Sequence, residues 1–274
     1  MKKNVFAFLA GLSCIAAAYG QPNCNLYKWS GDSACYRACL YYSERLNYAQ
    51  GNRESQLVFD SVVAVCPTFD VAYMEKAVPY LKRGDFATWR IWIDKAVALN
   101  PKEHLGYRGW CRYQFLRDYT GALQDLDKLA SLKTGNLGYS VNGDYHLNIA
   151  KALCYKGLGQ KGKAVEIIET QLADSTYSPG LYDYLHLGVL HLELGQWPAA
   201  LQALEKQATV CPNLAENEYY LAQAHRRLEH ADLVRQHLLR AQELYRAGRH
   251  RNDLYTHPMD RIYAVDIEQA LARL

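Results

Sequence analysis

The sequence predicts an all-α repeat protein, and three observations lead there. Apolar residues recur at helical spacing through most of the chain, each run opened by a polar or glycine-containing turn. One tripeptide, Val65-Cys66-Pro67, returns 145 residues on as Val210-Cys211-Pro212, and Pro67 and Pro101 stand 34 apart. The segments before these prolines also match. Arg83-Gly84-Asp85-Phe86 leads to Ile93, Ala96 and Pro101 as Leu194-Gly195-Gln196-Trp197 leads to Ala200, Leu204 and Pro212. Between them, Arg117-Asp118-Tyr119 runs into Ala122, Leu123 and Leu126, and Gly159-Gln160 into Ala164 and Ile168. A fixed period of this size marks a stacked array.

Composition agrees. The chain has 274 residues, 50% of them apolar and 22% charged, which is too hydrophobic for disorder and long enough for a large domain or an array. Basic residues exceed acidic ones by three, 31 against 28. Two of these, Lys2 and Lys3, fall in a segment expected to be removed. The remainder is almost neutral and offers no electrostatic case for nucleic acid.

Residues 1–20 read as a secretory signal peptide. A basic start, Met1-Lys2-Lys3-Asn4, precedes an uncharged run from Val5 to Ala18 and a small-x-small ending, Ala18-Tyr19-Gly20. The run is shorter than the roughly 20 residues a membrane helix needs. No later run is long enough either, so no transmembrane segment is expected. Lipidation at Cys14 is not favoured, because Gly11 stands where such sites place Leu. Periplasmic or extracellular export is the expected localisation.

The repeat resembles the tetratricopeptide repeat (TPR) family. That family pairs two antiparallel helices in 34 residues, with Gly at the turn, Ala on the second helix and a terminal Pro. The Ala place falls at Ser55, Trp89, Ala122, Ala164, Ala200 and Val234, with gaps of 34, 33, 42, 36 and 34 residues. The fifth copy is nearest the family pattern, with Tyr184, Leu187, Gly188, Gly195, Trp197, Ala200, Leu204 and Pro212. The first and sixth are degenerate, as expected of copies with one neighbour. Ser55, Trp89 and Val234 depart from Ala. An ordinary helical bundle also fits the apolar runs, but the near-equal spacings favour the array. The resemblance implies a right-handed superhelical solenoid of TPR helix hairpins. Small residues let paired helices approach, and stacking buries the stripe that one hairpin leaves open.

The expected organisation is an N-terminal lead over 21–32, about six repeats over 33–246, and a C-terminal capping extension over 247–274. The 42-residue gap implies an insertion at 132–143, where Gly135, Asn136, Gly138, Asn142 and Gly143 read as loop. Tolerated surface is the favoured reading of it; a contact element is the other. Gly248 to Pro258 is polar, with Arg249, His250 and Arg251. Met259 to Leu274 reads as an amphipathic helix whose Ile262, Val265, Ala270 and Leu271 share a side and cover the last repeat. Docking of another protein is the alternative.

Seven cysteines remain after the leader. In a TPR hairpin the start of the first helix lies beside the end of the second. This brings Cys35 or Cys39 near Cys66 and leaves Cys24 for the other, so two disulfides are expected among these four, with the pairing open. Cys111 and Cys154 either pair or stay as buried thiols, and Cys211 is odd. Cys35 and Cys39 lack the second short-spaced pair that zinc requires, so no metal and no cofactor are expected.

Catalytic signatures are weak. Gly-x-Ser-x-Gly, His-Glu-x-x-His and Walker-type loops are missing from the sequence, and no carboxylate pair stands out. His186 and His191, like His230 and His237, read as solvated helix residues. The expectation is a non-catalytic scaffold for a protein or peptide partner, with a small-molecule substrate disfavoured. The resemblance places the partner on the concave face lined by first helices. There it selects Arg37, Tyr48, Lys82, His104, Tyr107, Gln114, His146, Tyr182, Tyr219 and Arg226. Tyr and Arg suit binding hot spots. The Lys and Asn set of cytosolic chaperone-adaptor clamps is not reproduced. The alternative is a glycan-binding envelope protein that uses Trp89, Trp92 and Trp110 as stacking platforms.

Overall fold

The computed structural model describes residues 22–133 and 136–274. The expected signal peptide, Cys14 and Gly135 lie outside them. The described chain is almost wholly helical, and none of its helices is long and apolar enough to cross a membrane. It falls into two compact units that meet in sequence at Ala72 and Tyr73.

The first unit holds α1 (Asn25–Trp29), α2 (Ser33–Tyr42), a short 3₁₀ turn (Ser43–Asn47) and α3 (Arg53–Val65). Side-chain caps fix where these helices begin. Asp32 accepts from the Cys35 amide and Asn52 from the Ser55 amide. The core gathers Ala38, Tyr42, Phe59, Val62 and Phe69, with the Tyr42 ring 5.3 Å from that of Phe69. Two disulfides close it, Cys24–Cys39 and Cys35–Cys66. These are the four cysteines expected to bridge, now with their pairing. Loops of 15 and 31 residues close in this way, and each stabilises by about 3 kcal/mol through the entropy it removes from the unfolded chain. So small a unit needs such staples.

The helix α4 (Asp70–Lys82) starts in the first unit and continues into the second. There follow α5 (Phe86–Leu99), α6 (Pro101–Cys111, ending in a π turn to Leu116), α7 (Tyr119–Leu132), α8 (Leu147–Gly157) and α9 (Lys161–Ala173). After them come α10 (Asp183–Glu193), α11 (Trp197–Val210), α12 (Ala215–Arg227), α13 (Ala231–Arg246) and α14 (Ala264–Leu271). Within this unit α6/α7, α8/α9, α10/α11 and α12/α13 are hairpins, and each packs on the next.

One backbone feature repeats with the hairpins. A residue with positive φ sits between the two helices of each: Gly51, Gly84, Arg117, Gly159, Gly195 and Glu229. Left-handed backbone costs an L-residue about 1–2 kcal/mol, which is why glycine dominates these turns. A few residues on, the second helix presents its small-residue position. Ser55, Trp89, Ala122, Ala164, Ala200 and Val234 are all buried, departures from Ala included. Paired helices approach closely at Gly188, since a methyl there would stand 2.6 Å from Leu204 Cγ.

The C-terminal expectation needs correction. The final helix starts only at Ala264, where Tyr263 and Asp266 form a reciprocal capping box. Residues 259–263 are not helical; Asp260 has a left-handed φ of 64°. Ile267 and Ala270 are buried with Ile262, while Val265 is 50% exposed. The cysteine alternatives also resolve: Cys111 and Cys154 are buried thiols, and Cys211 is a half-buried one.

These packing details set two expectations, both read by urea unfolding. Gly188→Ala destabilises by about 1–3 kcal/mol, because Leu204 must move inside a filled core. Glu229→Gly stabilises by up to about 1 kcal/mol, because it relieves the left-handed turn.

Candidate functional site

The stretch after α13 is the unexpected element. It reads in sequence as a polar connection to a cap, yet it lies along the first helices of the hairpins as an irregular strap over 249–263. Its entry is fixed by backbone: Arg249 N–H donates to Leu244 O at 2.8 Å, and Ala215 N–H donates to Arg249 O at 2.8 Å. The strap then runs out to the ends of α4 and α6. Lys82 Nζ lies 5.6 Å from the Tyr255 ring centre, Gln114 Nε2 donates to Thr256 Oγ1 at 2.8 Å, and Arg117 donates to the His257 carbonyl. It returns to α8 and α10 at Asp260 and joins α14.

Its two charged anchors are joined by one hydrogen-bonded line. The Arg251 guanidinium donates to the Tyr145 hydroxyl. That hydroxyl meets His186 Nε2 at 3.0 Å, and His186 Nδ1 meets Asp260 Oδ2 at 2.6 Å. Lys156 Nζ donates to Asp260 Oδ1 at 2.6 Å. A neutral His186 with its proton on Nδ1 satisfies every member: Tyr145 O–H donates to Nε2, and Nδ1–H donates to the carboxylate. The Arg251 backbone N–H also donates to the Glu216 carboxylate, its guanidinium donates to the Met259 carbonyl, and the Tyr182 ring lies 4.3 Å beneath it.

Electrostatics follow from burial and partners. Burial pulls the His186 pKa down to about 4, outweighing the Asp260 carboxylate, with Arg251 and Lys156 adding to the depression. Burial alone would raise the Asp260 carboxyl; the Lys156 ammonium and the His186 hydrogen bond override it and hold it well below the usual range. Burial pushes Glu216 up despite the Arg251 contacts. An Asp–His–Tyr order also occurs in proton relays. Here both ends are taken, Asp260 by Lys156 and Tyr145 by Arg251, so the arrangement holds two pieces of chain together and presents no free group to a reacting atom.

The selected partner residues now have places. Lys82, Gln114 and Tyr182 touch the strap. Arg226 donates to the Ala270 carbonyl at 3.1 Å, and Tyr219 packs against α14. These five already serve the chain's own C-terminal segment. His104 is buried in α6. Tyr107 turns its hydroxyl into the core, where burial raises its pKa well above the ordinary value. His146 is buried at the start of α8, with Nδ1 accepting from the Asn148 amide and Nε2 2.7 Å from Asn136 Oδ1. In the first unit, Arg37 and Tyr48 are exposed, and Tyr48 lies past the 3₁₀ turn on extended backbone.

Three further expectations change. His186 and His191 are buried, not solvated, because each has a polar partner inside: Asp260 for the first, and Gln196 at 2.6 Å for the second. His230 is exposed, whereas His237 is half-buried and bonds Glu218 at 2.7 Å. The insertion is a loop, but more than tolerated surface. A bridge between Tyr139 and His146 folds it back, and its end delivers Tyr145 to the buried line. Two of the three tryptophan platforms are not available, and the third, Trp92, is half-buried. Trp89 and Trp110 are buried, and Trp92 lies against the Tyr73 ring and under Lys76 and Lys95.

Sequence reasoning missed Tyr145, Lys156, His186, Glu216, Arg251 and Asp260. One signal was present: Lys156 and His186 interrupt otherwise apolar helix faces, next to Leu153 and beside Leu185 and Leu190.

The architecture is that of TPR proteins, and solved structures share it. The chain is similar to PilW, a widely conserved type IV pilus biogenesis factor, at TM-score 0.62 and 17% identity over 77% of this chain and 94% of that one. It is similar to a tetratricopeptide repeat protein from Parabacteroides merdae at TM-score 0.52 and 15% identity, covering 90% of this chain and 88% of that one. YrrB, a TPR protein with an unusual peptide-binding site, matches at TM-score 0.51 and 15% identity over 68% of this chain and 91% of that one. No family model matches the chain, and no curated protein matches it in sequence. The fold is therefore an all-α TPR solenoid.

The buried line has a measurable signature. A histidine whose pKa falls on folding favours the unfolded state as it takes up a proton. His186 therefore removes about 2 kcal/mol of stability between pH 7 and pH 5. Urea unfolding at the two pH values should show this loss, and His186→Gln should remove it. Tyr145→Phe should cost about 2 kcal/mol at pH 7, since Arg251 and His186 both lose their shared partner.

Proposed function

We propose that the protein is an exported, non-catalytic scaffold that binds another protein through the first-helix face of its TPR array. One observation carries this reading. That face holds an irregular segment through side chains of α4, α6, α8, α10 and α12, so it is built to read a peptide without regular structure. A stiff array loses little entropy when it does so. The pilus factor and the peptide-binding protein among its structural neighbours are consistent with the class.

Export is supported by the two disulfides of the first unit, which persist in oxidising compartments. The periplasm or the extracellular space is the proposed location. Thiol trapping in intact cells should find Cys24, Cys35, Cys39 and Cys66 oxidised and Cys111 and Cys154 reduced. Four reduced thiols in the first unit would contradict export.

A photo-cross-linking residue tests the binding face in the native cell. Placed at Lys82, beside the strap, it should give a discrete adduct with another protein. Placed at Leu239, exposed on the second helix of the last hairpin, it should not. Adducts from Leu239 alone, or from neither position, would overturn the assignment.

A further inference from the structure

Up to Arg261 the strap is held by polar contacts, and its buried apolar residue, Ile262, follows at the end that joins α14. Between Arg249 and Arg261 its buried residues are Arg251 and Thr256, both polar. Leu254 is 87% exposed and Tyr255 52%. Lifting residues 249–261 withdraws no fully buried apolar side chain of the strap. The buried ion pairs it gives up fix a register more than they stabilise. One of the charged groups left behind also keeps a partner. Lys156 retains Glu193 at 3.2 Å. Gly248 at one end and Asp260 near the other carry positive φ, so backbone turns bound the segment.

We propose that residues 249–261 act as a displaceable internal ligand. The first-helix face recognises a protein segment without regular structure that offers a guanidinium to Tyr145 and Tyr182, a backbone N–H to Glu216, and a carboxylate to Lys156 and His186. The chain's own Arg251 and Asp260 occupy those two subsites until such a segment replaces them. This deepens the scaffold reading and rests on it. It names the partner's chemistry, a segment with a basic and an acidic anchor, and the device that regulates access. Because the strap is tethered at both ends, its effective concentration is high, and a free competitor binds the resting chain only weakly. Apparent affinity then scales with the fraction of molecules whose strap is out.

The probe is a fluorophore-labelled synthetic peptide with the sequence of residues 249–261, titrated by fluorescence polarisation. The proteins are the full chain and the same chain carrying Arg251→Gln and Asp260→Asn, which remove both charges and leave polar side chains in place. The disarmed chain should bind the peptide at least about tenfold more tightly than the unaltered chain. A peptide carrying the same two substitutions should not compete. Equal affinity for both chains, or no binding to a disarmed chain that circular dichroism shows to be folded, would overturn the proposal.

Hydrogen exchange on the unaltered chain gives a second test that needs no variant. The Arg251 amide, bonded to Glu216, should exchange through openings at least about tenfold more frequent than those exposing Leu190 of α10. Exchange of both amides at one common rate would mean that the strap opens only when the unit unfolds, and would also overturn the proposal. The two readings fail separately. A Lys82 adduct without peptide exchange leaves a scaffold whose strap is permanent. Peptide exchange without any adduct leaves a recognition groove but removes the scaffold role in that cell.

Discussion

The line from Arg251 through Tyr145 and His186 to Asp260 is the constraint on which the first-helix face of the second unit depends. It ties a segment with no regular structure to helices far away in sequence; Lys156 and Asp260 are 104 residues apart. Each donor in it has an acceptor, and that completeness matters more than any one bond. A buried polar group left unpaired costs about 1–3 kcal/mol, whereas a satisfied one contributes about 1. Such a network therefore adds little net stability and a great deal of register. It decides where the strap lies, and with it which side chains of the face are open to another protein.

Beneath this line the array supplies stiffness. The hairpins meet where Ala122, Ala164 and Ala200 leave room and where Gly188 admits Leu204. A left-handed residue between paired helices sets the turn each time. At Arg117 a charged residue accepts that backbone, and its side chain reaches the His257 carbonyl. Local strain at this turn thus coincides with a strap contact, in keeping with strain gathering at sites that do something. The first unit solves its stability differently, with two disulfides around a small aromatic core.

Most of the array was legible in the sequence, because its physics is local and periodic. The spacing of Ser55, Trp89, Ala122, Ala164, Ala200 and Val234 located the second helices, even where the residue itself broke the pattern. The crowding of four cysteines announced the staples. The strap was not legible, because neither period nor propensity governs it. Arg251 and Asp260 look like surface charges beside His250 and Pro258, and their partners lie on helices whose patterns give no hint of pairing across such distances. Met259 to Tyr263 looked helical because Ile262 fits an apolar stripe; the left-handed Asp260 and the Tyr263 cap delay the helix. Of the candidate site, Lys82, Gln114 and Tyr182 were found through the family's geometry. The residues that define its chemistry were not, since a buried charge is recognisable only beside its counter-charge.

A face that already holds part of its own chain behaves differently from an open groove. On the proposed reading, its affinity for a partner is set by a competition inside one molecule, and its specificity is written in the segment it must displace. Differential acylation of lysines in the folded protein, read by mass spectrometry, tests this picture most directly. If the strap covers the face, the Lys156 amine, held by Asp260 and Glu193, reacts far more slowly than the exposed Lys163 on the neighbouring α9. Equal reactivity of the two amines would mean that the face stands open and that the account of a self-occupied site is wrong.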